Sequence, residues 1–200
     1  MDSIFDLDHL YRTYFKMALP SVFGLMVSVV YNLADTFFIA QSNDTALIAG
    51  VSLCAPVFTA LMAFGNIYGQ GGSSLISRLL GQDDREGTGR VSSFCFYVAL
   101  TTGVVLAALG FLILRPAAVL MGAEGELLEQ ALIYGRINLI ALPFYVLQYE
   151  FQCLFATAEK PRLGLFVTVA AGVANMVLDA LFVGVFSWGA AGAAAATAIS

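Results

Sequence analysis

Long apolar runs, broken by short polar clusters, dominate this chain of 200 residues. The run LGLFVTVAAGVANMVLDALFVGVFS at 163–187 is the longest with so few polar positions. As a helix its roughly 25 residues extend about 37 Å, enough to cross a hydrocarbon core of about 30 Å. Runs of the same kind predict membrane spans at about 14–40, 46–72, 91–114 and 128–156, and a sixth that begins near 190 and is cut at 200. The polar clusters QSNDT (41–45), AEKPR (158–162) and SWGAAG (187–192) predict tight connections, and RPAAVLMGAEGELLEQ (115–130) predicts a loop leading into the fourth span. SSLISRLLGQDDREGTGR at 73–90 has a different period. Its Leu75, Ile76, Leu79 and Leu80 recur at helical spacing opposite a polar face, which predicts an amphipathic connector along the membrane surface. Residues 1–13 mix acids with Ile4, Phe5, Leu7, Leu10 and Tyr11 and predict an interfacial segment. Pro20 falls in the early turns of the first span, where a missing N–H does little damage. Gly65 and Gly69 have the spacing that lets two membrane helices approach closely, and so do the small residues of GAAGAAAATAIS. The expected fold is an all-α polytopic membrane protein whose sixth helix stops in mid-run, hence a fragment of something longer.

Composition agrees with the pattern. The chain is 60% hydrophobic and 12% charged, which a single soluble domain of this length would not need. The net charge of −5 is confined to connections and says little about partners. A basic patch with interleaved aromatics is missing, which argues against nucleic acid. Cys54, Cys95 and Cys153 stand alone in apolar surroundings and read as small buried hydrophobes. The single histidine, His9, receives no role. The first apolar run is too long for a signal peptide and holds Pro20, Asn32 and Asp35, so it reads as a retained span. GQGG at 69–72 lacks the Lys-Ser/Thr of a phosphate loop and reads as a helix end. With no nucleophile–base pair and no metal cluster, an enzyme is not expected, nor is any cofactor.

Charge also orients the chain. Arg12, Lys16, Arg78, Arg85, Arg90, Lys160 and Arg162 all fall on one side of the predicted membrane, against Arg115 alone on the other. The positive-inside rule then makes the N-terminus cytoplasmic, in a plasma (inner) membrane. Spans one and five both run outward. Asp35 lies about 8 Å and Asp179 about 12 Å before their outer ends, at 1.5 Å per residue, so the two acids share a depth in the outer half. Arg136 is also in the outer half, and Glu150 in the inner half.

These acids are the candidate chemistry. An aspartate at the middle of a membrane helix costs about 2.5–3.5 kcal/mol on insertion scales, and an intramembrane ionisable residue is a functional candidate by default. Asn175 stands one turn before Asp179 and shares its face. Two carboxylates in a dry site hold a proton between them and release it when water enters. Alternatively, two acids with the oxygens of Asn175 and Thr197 make a hard-oxygen cage for Na⁺. Both readings stay open at this stage, as does a structural ion pair between Arg136 and one acid. The fourth span is the most polar, with Tyr134, Arg136, Asn138, Gln148, Glu150 and Gln152. Tyr134 and Gln152 in that span, and Tyr31 and Asn32 in the first, are candidates for a substrate cavity, with the aromatic Phe23, Phe37 and Phe38 of the first span nearby.

Three stretches together resemble the multidrug and toxic compound extrusion (MATE) family. They are MALPSVFGLMVSVVYNLADTFFIAQ, with an early Pro and a late Asp; GQGGSSLISRLLGQDDREGTGRVSSF; and NMVLDALFV followed by WGAAGAAAATAIS. They span nearly the whole chain in the family's order. The resemblance implies a bacterial secondary antiporter of two six-helix lobes related by a pseudo-two-fold axis, exporting drugs or amphiphilic organic cations in exchange for H⁺ or Na⁺. It implies that this chain is the N-terminal lobe, with a C-terminal lobe as its missing partner, and that the lobe alone does not transport. It further implies a cation site at Asp35, Asn175, Asp179 and Thr197, with Tyr134 on the same cavity. Gln152 departs from the family pattern, where some members carry Asn nearby. Two rivals remain at this stage: a flippase of the same superfamily moving lipid-linked oligosaccharides, which would want more basic residues in the cavity than Arg136, and a non-transporting structural membrane protein.

Overall fold

The computed structural model describes residues 10–41, 44–158 and 161–200. Among them the chain forms six helices: α1 (Leu10–Gln41), α2 (Thr45–Gly81), α3 (Arg85–Leu120), α4 (Gly125–Thr157), α5 (Pro161–Asp179) and α6 (Gly189–Ile199). A π-helical segment, Ala180–Val185, continues α5. Five of these helices are long and apolar enough to cross a membrane, and α6 is a shorter apolar helix. The protein is all-helical and a multi-pass membrane protein. The expected interfacial segment lies outside the described residues over positions 1–9, and its last four positions belong to α1.

Two expectations about connections are corrected. Segment 73–90 is not an element of its own. It is the last turns of α2, a three-residue turn, and the first turns of α3. At 37 residues α2 is about 55 Å long, well beyond the hydrocarbon thickness, so its polar end continues the same helix past the apolar stretch. The break comes only where Asp83 takes a left-handed backbone (φ 55°) and Asp84 caps α3, its Oδ1 accepting from Gly87 N at 2.8 Å. The stretch from Arg115 is not a loop either. Helix α3 runs through Pro116 to Leu120, because Leu114 and Ala118 on either side of the proline are buried and their packing outweighs one lost helical hydrogen bond. The turn is only 121–124, with Gly122 at φ +89° supplying the reversal.

Packing divides the helices into two groups. Helices α2, α3 and α4 lie against one another, and α6 docks on α4. Helix α1 leans on α5 and barely touches α2. Small residues bring α4 close to its neighbours. A Cβ placed at Gly103 of α3 would lie 2.7 Å from Pro143 Cα, and one at Gly50 of α2 would lie 3.0 Å from Ala131 N. The Gly65–Gly69 pair of α2 faces Val146 and Tyr149 of α4 in the same way. Leu139, Leu142 and Val146 of α4 are fully buried at this seam. Much of the large apolar surface of α1 is exposed, including Leu25, Leu33 and Phe37, as a helix in lipid requires.

Candidate functional site

The two helix groups leave between them a cavity of about 460 Å³, within the usual range of small-molecule sites. Four of the helices that border it present polar side chains to it. Helix α1 contributes Ser28, Tyr31, Asn32 and Asp35; α4 contributes Tyr134, Asn138, Tyr145, Gln148 and Gln152; α5 contributes Thr168 and Asn175; α6 contributes Thr197. The steps of three, four and seven put each set on one face. Helix α2 supplies an apolar wall of Val51, Phe58 and Met62. The cavity is therefore amphipathic, with an acid at one place and aromatic and aliphatic surface opposite.

The structure brings the expected residues together from four helices. Asp35, Asn175 and Thr197 line the cavity, as do Tyr31, Asn32, Tyr134 and Gln152. Asp179 is placed differently from the shared water-accessible hollow expected for both acids. It is fully buried and is not on the cavity wall, but its carboxyl lies within hydrogen-bonding reach of Asp35. The two acids meet on the α1–α5 seam: Tyr31 packs 3.3 Å from where a Cβ on Gly172 would be, and the acids follow one turn further along α1 and two turns further along α5. Asp35 thus stands between Asp179 and the cavity.

The acceptors in this cluster have few donors. Among the described residues, Asp35 Oδ1, both carboxylate oxygens of Asp179 and Asn175 Oδ1 are buried without a hydrogen-bond partner. Thr197 uses its hydroxyl proton on Ala193 O at 3.0 Å, which leaves its oxygen as an acceptor. Buried polar groups are normally satisfied, so buried carboxylates and an amide carbonyl without a donor are places where a proton or a cation would be held. The set is oxygen-only: two carboxylates, an amide carbonyl and a hydroxyl. It fits a proton shared between acids, and it fits a hard monovalent cation such as Na⁺.

Other expected residues lie apart. Arg136 is exposed on α4, and the ion pairs among the described residues, Arg85–Asp83 and Arg90–Glu86, do not include it, so it neutralises neither acid. Phe23 and Phe37 face outward, 54% and 58% exposed, and neither they nor Phe38 lines the cavity. Glu150 is 3% exposed and does not line the cavity, and neither of its carboxylate oxygens is partnered among the described residues.

The cavity also holds Tyr145, which was not singled out from the sequence, and bonds among its neighbours that the sequence did not show. Tyr145 donates its hydroxyl to Asn138 Oδ1 at 3.0 Å, and Asn138 Nδ2 donates to Tyr134 O at 3.0 Å. Gln152 Nε2 donates to Thr168 Oγ1 at 3.3 Å. The spacing of Tyr134, Asn138, Tyr145, Gln148 and Gln152 along α4 is the signal that would have found Tyr145, a polar stripe on an otherwise apolar helix.

Comparison with known proteins extends these findings. The MatE family model matches residues 20–181. Multidrug export protein MepA of Staphylococcus saprophyticus subsp. saprophyticus is 32% identical over 196 residues, 98% of this chain and 44% of that protein. MepA of Staphylococcus haemolyticus is 31% identical over 98% of this chain and 43% of its own length. Among solved structures, a MOP superfamily transporter from Pyrococcus furiosus superposes with a TM-score of 0.87 at 28% identity, over 92% of this chain and 40% of that one. An outward-facing multidrug resistance MATE family transporter of the same superfamily does so with the same score and identity, over 92% of this chain and 41% of its own. The chain spans less than half the length of these relatives.

Proposed function

We propose, for a chain that belongs to the MatE family of multidrug and toxic compound extrusion transporters, that it supplies the cation-coupling lobe of a drug efflux antiporter. In this reading the lobe pairs with a second six-helix lobe, and the whole exports drugs or amphiphilic organic cations in exchange for H⁺ or Na⁺. The N-terminus and the Lys- and Arg-rich connections face the cytoplasm, across a bacterial inner membrane. Asp35 and Asp179 hold the coupling cation, and Asn175 and Thr197 complete its oxygen shell. Tyr31, Asn32, Tyr134 and Gln152 meet the drug in the cavity beside it.

The observation that carries this reading is the set of buried oxygens without donors, at and beside the cavity wall. A cation settling there removes the acid's charge from the wall, and an organic cation in the cavity competes for that same charge. Each ligand then weakens the other, which is the free-energy coupling that exchange requires. Among the described residues the wall carries Asp35 and neither Lys nor Arg, a charge suited to cationic cargo and unsuited to a pyrophosphate-linked sugar.

The test is Asp179→Asn and Asp35→Asn in the full-length protein, read as drug resistance of cells and as ion dependence of drug transport in vesicles. Loss of both is expected. Resistance with unchanged ion dependence in either variant removes the coupling role.

A further inference from the structure

A second cavity, of about 290 Å³, lies between α1, α4 and α5. Pro20 and Ser21 of early α1, Phe155 and Ala156 of late α4, and Gly164 and Leu165 of early α5 border it, so it sits at the end of the lobe flanked in sequence by Arg12, Lys16, Lys160 and Arg162. Three side chains, Ser28, Gln152 and Thr168, line both this cavity and the larger one. They are the partition between the two.

The partition is thin and polar. Gln152 Nε2 reaches Thr168 Oγ1 across the α4–α5 gap at 3.3 Å, the long end of N–H···O bonds. The hydroxyl protons of Ser28 and Thr168 go to their own helices, to Gly24 O at 3.0 Å and Gly164 O at 2.9 Å, so both oxygens keep lone pairs for other partners. The hydroxyl of Tyr149 and the thiol of Cys153 add polar atoms on the far side. A room of this kind at the end of a membrane lobe, parted from the larger cavity by one weak bond, is suited to water and a small cation rather than to a bulky drug.

We propose that the second cavity is a water-accessible antechamber through which the coupling cation passes between the Asp35–Asp179 pair and the Lys- and Arg-flanked side of the membrane, and that the Gln152–Thr168 bond is its closed gate. The cation is a small monovalent one, a proton carried on water or Na⁺. This rests on the reading of the two acids as a cation site. It adds a second way out for the ion, between α1, α4 and α5, beside the cavity that takes the cargo.

Cys153 is a built-in reporter, since it lines the antechamber while Cys54 and Cys95 are buried. In the full-length protein with its other cysteines replaced, membrane vesicles of both orientations are treated with a charged, membrane-impermeant methanethiosulfonate. Labelling of Cys153 from the Lys- and Arg-flanked face, and not from the other, is expected. Labelling only from the opposite face overturns the antechamber, and so does reaction with lipid-soluble maleimide alone, which would mean that lipid fills the space. The gate is tested in an Asn32→Cys background that lacks Cys153, with the reagent on the same face. Thr168→Val, which removes the acceptor at constant shape, is expected to speed labelling at position 32 about fivefold, the factor that one ordinary hydrogen bond represents, and Thr168→Ser to restore the original rate. An unchanged rate in Thr168→Val overturns the gate. Asp35→Asn in the same vesicles separates the two claims. Lost ion coupling with Cys153 unreachable from the flanked face sinks the antechamber alone, whereas intact coupling in Asp35→Asn sinks the cation site on which it depends.

Discussion

The carboxyl of Asp179 lies against that of Asp35 on the neighbouring helix, and of the two only Asp35 is on the cavity wall. A cation from the cavity reaches Asp179 past Asp35, so the pair works as one site. Groups that act as a unit are not additive when removed. Asp35→Asn and Asp179→Asn are therefore each expected to abolish ion-dependent resistance, and the double variant to be no worse than either. Minimum inhibitory concentrations for the three variants of the full-length protein check this. A double variant that is clearly worse than both singles would mean two separate sites.

Tyr145 and Asn138 offer a different outcome. Tyr145→Phe keeps the ring and removes the donor to Asn138 Oδ1, a bond of 3.0 Å. An ordinary buried hydrogen bond is worth about 1 kcal/mol, so a small fall in melting temperature is expected. Because this pair is on the cavity wall and neither member belongs to the proposed oxygen shell, the drug spectrum should change while the ion dependence stays. Transport of several drugs at fixed ion gradients separates the two effects.

Glycine contacts predict a contrast in stability. Gly103→Ala would put a methyl 2.7 Å from the Pro143 backbone, where nothing can rotate away. A loss of about 1–3 kcal/mol is expected from such overpacking. At Gly24 the nearest atom is Leu165 Cδ1 at 3.9 Å, an ordinary contact, so Gly24→Ala should be neutral or slightly stabilising through helix propensity. Thermal unfolding of the detergent-solubilised protein distinguishes them.

Glu150 is buried at 3% exposure with neither oxygen partnered among the described residues. An unsatisfied buried polar group costs about 1–3 kcal/mol. Glu150→Met, of similar length and without the oxygens, should hold or raise the melting temperature. If it does so while transport falls, Glu150 serves transport rather than folding.

The all-helical membrane fold was legible because hydrophobic length is a local property of the sequence. Helix ends were less so. Asp84 as a cap and the helical passage through Pro116 depend on which neighbours become buried, and a polar stretch such as 73–81 looks the same from sequence whether it lies on a surface or prolongs a helix. At the candidate site, the stripes on α1 and α5 were visible as Asp35, Asn175 and Asp179. That Asp179 would be sealed behind Asp35 was not, since it depends on the packing of α1 on α5, where Tyr31 meets Gly172, a contact between residues 141 positions apart. Arg136 and Glu150 carried equal weight in the sequence. Their outward and inward directions were set by the close approach of α4 to α2 and α3.

Both acids belong to the α1–α5 pair, while Tyr134, Asn138 and Tyr145 belong to the block built around α4. The first pair meets the second along a lighter seam than the one that holds α2, α3 and α4 together. If the lobe flexes at that seam, the two aspartates ride together and their mutual spacing survives. The room beside them is what changes shape. A transporter built this way can resize the berth of its cargo without disassembling the clasp that holds its ion.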